Sequence, residues 1–187
     1  PSGYVLFQHH RNADATRFWL QLKDFQFTTH EAGNALFKLI NSFSSTSDEF
    51  LFTRGTDDPM FAYLSPKAQR IDFVFNWFQR ITHVQNALES RGYNKQLSGM
   101  ASLRVKDEQL KGNDLAYQVD VEEGSANVKV IDKAETEIDV DGLASLYCGR
   151  FSPAQLRQLG SLSGDDSGDE FLGLMFAGAQ SSLPDFF

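Results

Sequence analysis

The sequence predicts an α+β protein built in two parts, residues 1–93 and residues 94–187. In the first part, stretches with strand-like alternation flank a stretch whose apolar residues recur at helical spacing, which is typical of a mixed α/β region. In the second part, four runs of alternating residues are separated by turn sequences and followed by helical patterns. A chain of 187 residues has room for one domain or two small ones.

The first part opens with two strands and a helix. Gly3–His9 has the alternation of a strand, and residues 18–27 alternate as a half-buried strand does. The stretch TTHEAGNALFKLINSFSS predicts a helix, because its apolar residues recur every three or four positions. Thr28 or Thr29 is expected to cap its first turn.

Four further elements complete the first part. EFLFTRG and MFAYL each predict a short strand. FVFNWFQRIT alternates apolar residues and predicts a long, largely buried strand, in which we expect Trp77 to belong to the core. HVQNALESRGY predicts a short helix, with Gly92 as the left-handed residue at its C-terminal end.

The second part predicts a sheet followed by helices. QLSGMASLRVKDEQL, DLAYQVDVEEG, SANVKVID and TEIDVD predict four strands, and the turns KGND, EEGS and DKAE between them favour an antiparallel meander. Three helices are then expected. They are DVDGLASLYCG, beginning at Asp139 or Asp141, SPAQLRQLG, with Ser152 as its cap and Pro153 in its first position, and DEFLGLMFAG.

Composition excludes several classes of function. The net charge is −8 and no run of Lys or Arg occurs, so nucleic acid is not an expected partner. No apolar run approaches the roughly 20 residues of a membrane-spanning helix. The His and Cys residues lack the spacing of zinc ligands, so no metal is expected. The lone Cys148 excludes an internal disulfide and is expected to be a buried structural thiol. No signal peptide is visible, and a cytoplasmic location is expected.

The two ends of the sequence carry separate expectations. The chain begins PSGYVLFQ without Met and enters a strand almost at once, so we expect it to be a C-terminal piece of a longer protein. It closes with SSLPDFF, where Phe186 and Phe187 are expected to dock because burying a Phe side chain stabilises by roughly 1.5–3 kcal/mol. The pair either fills a gap or holds the terminal carboxylate in a site, and the residues alone favour the first interpretation.

Four stretches, in order along the chain, resemble one protein family. NWFQRITHVQNALESRGY resembles the W-x-R-(I/L)-x-D-V-x-x-A-L-x-x-R-G-Y element of the enhanced intracellular survival (Eis) family of GNAT-type N-acetyltransferases, although His83 stands where the family often has Asp. TTHEAGNALFKLINSF resembles that family's T-x-E-A-x-x-x-L-x-x-F helix. DVDGLASLYCGRFSPAQLRQLG and LGLMFAGAQSSLPDFF resemble its sterol-carrier-like segment and its C-terminal end.

The resemblance implies a fold and an activity. Residues 1–93 would form part of a second, non-catalytic GNAT-like α/β region, and residues 94–187 a sterol-carrier-like antiparallel sheet packed with helices. An upstream GNAT domain would bind acetyl-CoA, and the fragment alone would be inactive. The activity implied is acetyl transfer from acetyl-CoA to an amine, either of an aminoglycoside or of a lysine side chain, by a protein that is expected to form homo-oligomers.

The resemblance also implies residue roles. The carboxylate of Phe187 would act as the general base, anchored by the aromatic pair. Asp185, Phe186 and Trp77 are candidates for the substrate side of the pocket. The alternative is a sterol-carrier-like module that binds a lipid or another hydrophobic ligand without catalysis, and a third interpretation is a scaffold that builds an oligomer. The lipid-binding alternative requires a long apolar cavity in residues 94–187.

Overall fold

The structure is a computed structural model that describes residues 2–13, 16–178 and 181–183. These residues form an α+β fold, which confirms the predicted class. The chain divides into two compact units: residues up to Phe75 together with Ser182 and Leu183 form the first, and Asn76–Ser181 forms the second. The expected boundary between residues 93 and 94 therefore lies inside the second unit, because Tyr93 and the helix before it belong to that unit's core.

The first unit contains, within the described residues, a three-stranded sheet crossed by one α-helix. Strand β1 pairs with β2 in antiparallel fashion, and β2 pairs with β3 in parallel, so the sheet order is β1-β2-β3. The elements are β1 (Gly3–Arg11), β2 (Phe18–Phe27), α1 (His30–Asn41) and β3 (Ser47–Phe52). All four confirm predicted elements.

Local chemistry explains why α1 begins where it does. The side chain of Thr29 accepts a hydrogen bond from the Ala32 amide at 3.2 Å, so Thr29 rather than Thr28 is the cap. The apolar face of the helix then places Phe37 and Ile40 in a small core against β2. This core also holds Leu22, Phe25 and Met60.

Two strand predictions for residues 1–93 are wrong. The stretch MFAYL lies in a 3-10 helix, Pro59–Tyr63, because Asp58 caps it by accepting from the Met60 amide at 2.8 Å and Pro59 has no amide to donate to a strand neighbour. Residues 73–82, the stretch FVFNWFQRIT that was predicted as a buried strand, form neither helix nor strand. Trp77 is 43% exposed, so its predicted burial is also wrong.

The second unit is built around a five-stranded sheet of order β6-β5-β4-β7-β8 within the described residues. Strands β4, β5 and β6 form the predicted antiparallel meander. The strands are β4 (Gly99–Lys106), β5 (Ala116–Glu122), β6 (Ser125–Ile131), β7 (Thr136–Asp139) and β8 (Leu162–Gly164). The helices are α2 (Val84–Ser90), α3 (Val140–Tyr147), α4 (Pro153–Leu159) and α5 (Asp169–Met175).

The position of β7 corrects the predicted meander. Strand β7 lies beside β4 and runs parallel to it, so DKAE is part of a crossover rather than a hairpin turn. This pairing sets Val105 opposite Ile138, which are 0% and 1% exposed, and so buries two apolar side chains together. Strand β8, which was not predicted, pairs with β7 in antiparallel fashion.

The predicted N-terminal caps of α3 and α4 are confirmed, but the predicted C-terminal end of α2 is not. Asp139 accepts from the Gly142 amide at the start of α3, and Ser152 forms a reciprocal capping box with Gln155 at the start of α4. Helix α4 ends at Gly160, which has a φ of 78°. The prediction for Gly92 is wrong, because the chain leaves α2 through extended backbone at Arg91.

The core of the second unit is filled with large side chains. Tyr117, Leu103 and Leu143 are 1%, 2% and 0% exposed. Cys148 follows α3, where it is half-buried rather than fully buried and donates to the carbonyl oxygen of Ser145 at 3.5 Å. Of the helices in the described residues, none is both long enough and apolar enough to cross a membrane.

Candidate functional site

The candidate site lies at the carboxyl ends of β2 and β3. The two strands pair in parallel, with Leu20 opposite Phe50 and Leu22 opposite Phe52, so both chains leave the sheet at the same edge. Ligands of open α/β sheets bind outside the carboxyl ends of parallel strands. Here residues 22–26 and 52–54 line a cleft of about 190 Å³.

Arg54 is the central cation of this cleft. Its side chain is 14% exposed, and its Nη2 donates to the carbonyl oxygen of Phe25. Its guanidinium lies 3.7 Å from a carboxylate oxygen of Asp24 and 3.6 Å from one of Asp58. A largely buried guanidinium is therefore held between two carboxylates, that of Asp24 within β2 and that of Asp58 in the loop after β3.

Asp24 is fixed as a carboxylate by its neighbours. The hydroxyl of Tyr4 donates to Oδ2 at 2.5 Å, and the amide of Phe25 donates to Oδ1 at 2.8 Å. The hydrogen bond from Tyr4 is the largest cause of the lowered pKa of Asp24. The Phe25 amide and the charge of Arg54 lower this pKa further, whereas desolvation raises it. The same hydrogen bond raises the pKa of Tyr4. At neutral pH the pair is thus a phenol that donates to a carboxylate.

The charges around the cleft favour a cation. Asp24, Asp57 and Asp58 lie in or next to it, whereas Lys23 and Arg54 are the cations that line it. Three carboxylates against two cations leave this group of described residues with a negative net charge. An ammonium group suits such surroundings better than a phosphate does.

The chain returns to this edge near its C-terminal end. Ser182 lies against Gly55, the residue that follows Arg54, and a Cβ on residue 55 would lie 2.8 Å from the Cβ of Ser182. Asp185, Phe186 and Phe187 lie outside the described residues, so the roles predicted for them stay predictions. Trp77 is not among the residues that line this cleft.

A second cleft, of about 330 Å³, lies in the second unit. Residues 79–83 line it together with Tyr147 and with side chains of α2. Beside it, the buried Asp107 accepts hydrogen bonds from Arg80 at 2.6 Å and from the Asn113 amide group at 3.0 Å. Desolvation alone raises the pKa of Asp107, but the bonds from Asn113, two backbone amides and Arg80 outweigh it and set the pKa at about 2.

The Asp107 network has a structural role. Asn113 also accepts from the Val84 amide at 3.0 Å and donates to the Ile81 carbonyl at 3.2 Å. The network therefore ties the start of α2 to the loop after β4. All of these polar groups have partners, so they hold the wall of the cleft rather than present a reactive group to it.

A family model for the sterol carrier protein domain matches residues 84–184, which is more than half of the chain. The chain belongs to the sterol carrier protein domain family. The match begins at α2 and covers the five-stranded sheet and helices α3 to α5. A search of curated proteins found no match to the chain.

Solved structures similar to the chain extend the likeness to its whole length. A GCN5-related N-acetyltransferase from Anabaena variabilis superposes with a TM-score of 0.92 at 29% identity, over 100% of this chain and 48% of that one. Eis1 from Mycobacterium abscessus superposes with a TM-score of 0.76 at 22% identity, over 100% of this chain and 49% of that protein. A GCN5-related N-acetyltransferase from Kribbella flavida superposes with a TM-score of 0.75 at 21% identity, over 99% of this chain and 46% of that protein. The chain spans about half the length of these proteins.

The sterol carrier protein domain of this chain gives no support to lipid binding. Its interior is occupied by side chains such as Tyr117 and Leu143, and its cleft is bordered by polar groups of Arg80, His83 and Asn86. A lipid needs a long cavity with apolar walls. Among residues 2–13, 16–178 and 181–183, no group of three or more His, Cys, Asp or Glu side chains is arranged to hold a metal ion.

Sequence patterns did not indicate the roles of Tyr4, Asp24 and Arg54. Asp57 and Asp58 form a carboxylate pair in the turn sequence GTDDP, where a solvated loop is favoured over a catalytic dyad. The available signal was the position of charged residues in the last part of one predicted strand, KDFQF, and directly after another, TRGTDD. That signal becomes useful only when the two strands are known to be parallel neighbours, because parallel pairing brings their carboxyl ends together.

Proposed function

We propose that this chain is the substrate-binding part of an N-acetyltransferase that acts on an amine, and that the carboxylate of Phe187 is the general base. The observation that carries the proposal is the contact of Ser182 with Gly55, which brings the C-terminal stretch back to the acidic cleft. The likeness to the Anabaena N-acetyltransferase over the whole chain supports the same activity.

The chemistry needs a base and a cation-attracting surface. An alkyl amine is protonated at neutral pH and must lose a proton before its nitrogen can attack a thioester carbonyl. In the proposal, Asp24, Asp57 and Asp58 attract the ammonium group, and the carboxylate of Phe187 accepts its proton, directly or through water. The net charge of −8 also favours the approach of amines that carry several charges, such as aminoglycosides or lysine-containing peptides.

Acetyl-CoA supplies the acetyl group in this proposal, but the described residues do not fit coenzyme A. Its pyrophosphate is anionic, and the carboxylates of Asp24 in the cleft and of Asp58 beside it already face Arg54. The sequence also has no Gly-rich R/Q-x-x-G-x-G/A turn to bind pyrophosphate through backbone amides. The proposal therefore places the coenzyme in a further GNAT domain of a longer, homo-oligomeric cytoplasmic protein. Asp185, Phe186 and Trp77 remain proposed substrate contacts.

The test removes the carboxylate from its position in the longer natural protein. Deletion of Phe187 is expected to lower kcat by roughly 10²–10⁴, the usual contribution of general-base catalysis. Phe187→Leu is the matched control, because it keeps both the terminal carboxylate and an apolar side chain and should retain most of the activity. Acetylation of kanamycin and of a lysine peptide can be followed through release of the coenzyme A thiol.

Two results would contradict the proposal. If deletion of Phe187 leaves kcat within about threefold of the parent, the carboxylate is not the base. If residues 1–187 alone turn over acetyl-CoA, the assignment of coenzyme binding to a further domain is wrong.

A further inference from the structure

Strand β1 forms one edge of the sheet in the first unit. It is nine residues long, Gly3–Arg11, and pairs with β2 on one side. On its other side, no strand lies among the described residues. An edge strand presents a row of backbone N–H and C=O groups that can pair with another strand, and proteins usually protect such rows.

Two hydrogen bonds show which residues of β1 face β2. The carbonyl oxygen of Ser2, just before β1, accepts from the Thr28 amide at 2.8 Å. The amide of Asn12, just after β1, donates to the Arg17 carbonyl oxygen at 3.0 Å. Thr28 and Arg17 flank β2, and the backbone groups of alternate strand residues point to opposite neighbours. The even-numbered residues of β1 therefore face β2.

The odd-numbered residues of β1 face the open side. The register shift between the two strands skips Lys23, so the extra residue belongs to β2 and the alternation of β1 is unbroken. The backbone N–H and C=O groups of Val5, Phe7 and His9 thus point away from β2. These are the groups that a further strand would bind.

The other sheet edges carry protection that β1 lacks. On β6, the side-chain amide of Gln85 donates to the carbonyl oxygen of Val128 at 3.0 Å. Strand β8 is only three residues long, and β3 carries the ion-paired Asp48 and Glu49. Strand β1, in contrast, contains no Pro, Lys, Asp or Glu, and its one charged residue is Arg11 at its end. Its composition is therefore that of an interior strand.

Apolar side chains are exposed on both faces of the sheet beside this edge. On the face that α1 covers, Leu36 lies against the first residue of β1, and the ring of Phe43 lies 5.3 Å from that of Phe7. Leu39 lies between them on the same side of the helix and is 44% exposed. On the opposite face Leu6 is 58% exposed. A strand added beside β1 would bring side chains to both leucines.

We propose that β1 is an interior strand of a larger sheet in the longer natural protein, where a strand from a further part of the same polypeptide pairs with Val5, Phe7 and His9. The proposal goes beyond the proposed function and shares with it only the longer protein. Length identifies the occupant, because the similar solved structures match all or nearly all of this chain and about half of each lies outside the match. A strand of the same polypeptide also meets the edge at an effective concentration of up to about millimolar.

The experiment is hydrogen exchange of the longer natural protein, resolved to single amides by fragmentation in the mass spectrometer. The amides of Val5, Phe7 and His9 are expected to exchange as slowly as those of Leu6 and Gln8, to within about tenfold. In an open edge strand the three outward amides would exchange roughly a hundredfold faster than the two inward ones.

A proline variant tests the same ladder independently. His9→Pro removes the backbone donor, and an edge strand tolerates proline where the N–H faces solvent. His9→Ala is the matched control, because it removes the same side chain and keeps the amide. We expect His9→Pro to lower the Tm of the longer protein by at least about 4 °C more than His9→Ala does.

Three results would overturn the proposal. The first is fast exchange of the outward amides beside slow exchange of the inward ones, and the second is an equal Tm for His9→Pro and His9→Ala. The third is protection that is lost on dilution of the protein, which would assign the edge to a second copy. Acetyl transfer does not enter these readouts, so failure of the proposed function is seen separately, in the kcat of the Phe187 deletion.

Discussion

Ser182 lies so close to Gly55 that residue 55 has no space for a side chain. A Cβ on residue 55 would lie 2.8 Å from the Cβ of Ser182 and 3.0 Å from its Oγ. Gly55 does not have a positive φ, so the contact and not the backbone conformation favours glycine here. Because Gly55 follows Arg54 directly, this contact links the C-terminal stretch to the acidic cleft.

Gly55→Ala is therefore expected to displace Ser182. Overpacking of this kind costs roughly 1–3 kcal/mol. Peptides that contain Ser182 and Leu183 should exchange amide hydrogens about tenfold faster in the variant, the Tm should fall by roughly 2–4 °C for each kcal/mol lost, and kcat of the proposed acetyltransferase should fall.

The double variant Gly55→Ala/Ser182→Gly is the control for this contact. Ser182→Gly removes the two nearest atoms that the new methyl group would meet and leaves Oδ1 of Asp57 at 3.1 Å, so it should restore slow exchange and most of kcat. If the double variant behaves like Gly55→Ala, then a group other than Ser182 determines the effect.

Asp107 gives the second unit a defined dependence on pH. Its pKa is about 2 in the folded protein and 3.8 as a free side chain, so the unfolded state binds more protons between these values. The stability that the carboxylate contributes is complete above about pH 4 and is lost as the pH falls through about 2. Urea unfolding of the second unit's core at several pH values measures the slope of the free energy of unfolding against pH.

Asp107→Asn should reduce that slope and lower the free energy of unfolding at pH 7 by roughly 1.5–3 kcal/mol, the value of hydrogen bonds to a charged group. The exposed Asp132, in the turn after β6, provides the control, since Asp132→Asn should leave both quantities nearly unchanged. An unchanged slope in Asp107→Asn would show that other carboxylates determine the acid sensitivity.

What the sequence predicted correctly depends on neighbours along the chain. The caps Thr29, Asp139 and Ser152 act on amides three residues away or closer, so a short stretch contains all the necessary information. Most strands and all five α-helices found in the described residues were predicted for the same reason.

What the sequence did not predict depends on distant partners. FVFNWFQRIT has the composition of a buried strand, but burial requires a covering surface, and in the structure residues 73–79 of that stretch are exposed whereas Ile81 is buried. The parallel pairing of β7 with β4, and the meeting of Tyr4, Asp24 and Arg54, arise from sheet order, which local patterns do not encode.

Arg91 joins three helices of the second unit. Its guanidinium lies 5.0 Å from the ring of Tyr147 and 5.1 Å from that of Phe176, and it donates to the Tyr147 carbonyl at 2.6 Å. A lysine ammonium is a point charge and cannot stack on two rings while making this bond. Arg91→Lys is thus expected to lower the free energy of unfolding by about 1–2 kcal/mol.

The control for Arg91 is an arginine with a single, exposed ring contact. Arg150 lies 5.4 Å from the ring of Phe151 at the surface, and Arg150→Lys should change the stability by no more than about 0.5 kcal/mol. Equal effects of the two substitutions in chemical denaturation would mean that the double stacking on Tyr147 and Phe176 contributes nothing.

Two helical glycines are expected to respond to alanine with opposite signs. In a helix interior, alanine is favoured over glycine by roughly 1 kcal/mol, because it restricts the unfolded chain. At Gly33 in α1 a Cβ would lie 2.7 Å from the hydroxyl oxygen of Tyr63 and 2.9 Å from its Cζ. At Gly173 in α5 the nearest atom, Cδ of Pro153, would be 3.7 Å away, which is an ordinary contact.

Gly173→Ala should therefore stabilise the protein by up to about 1 kcal/mol. Gly33→Ala should destabilise it, since Tyr63 is stacked on Phe37 at 5.0 Å and cannot move away without disrupting the small core of the first unit. In the Gly33→Ala variant, Tyr63→Leu removes the clashing oxygen and ring. Tyr63→Leu should therefore lower the free energy of unfolding less in that variant than in the parent. Thermal unfolding of the parent, the three single variants and the double variant measures the direction of each change in Tm. A gain in Tm from Gly33→Ala would show that Tyr63 is not held in this position.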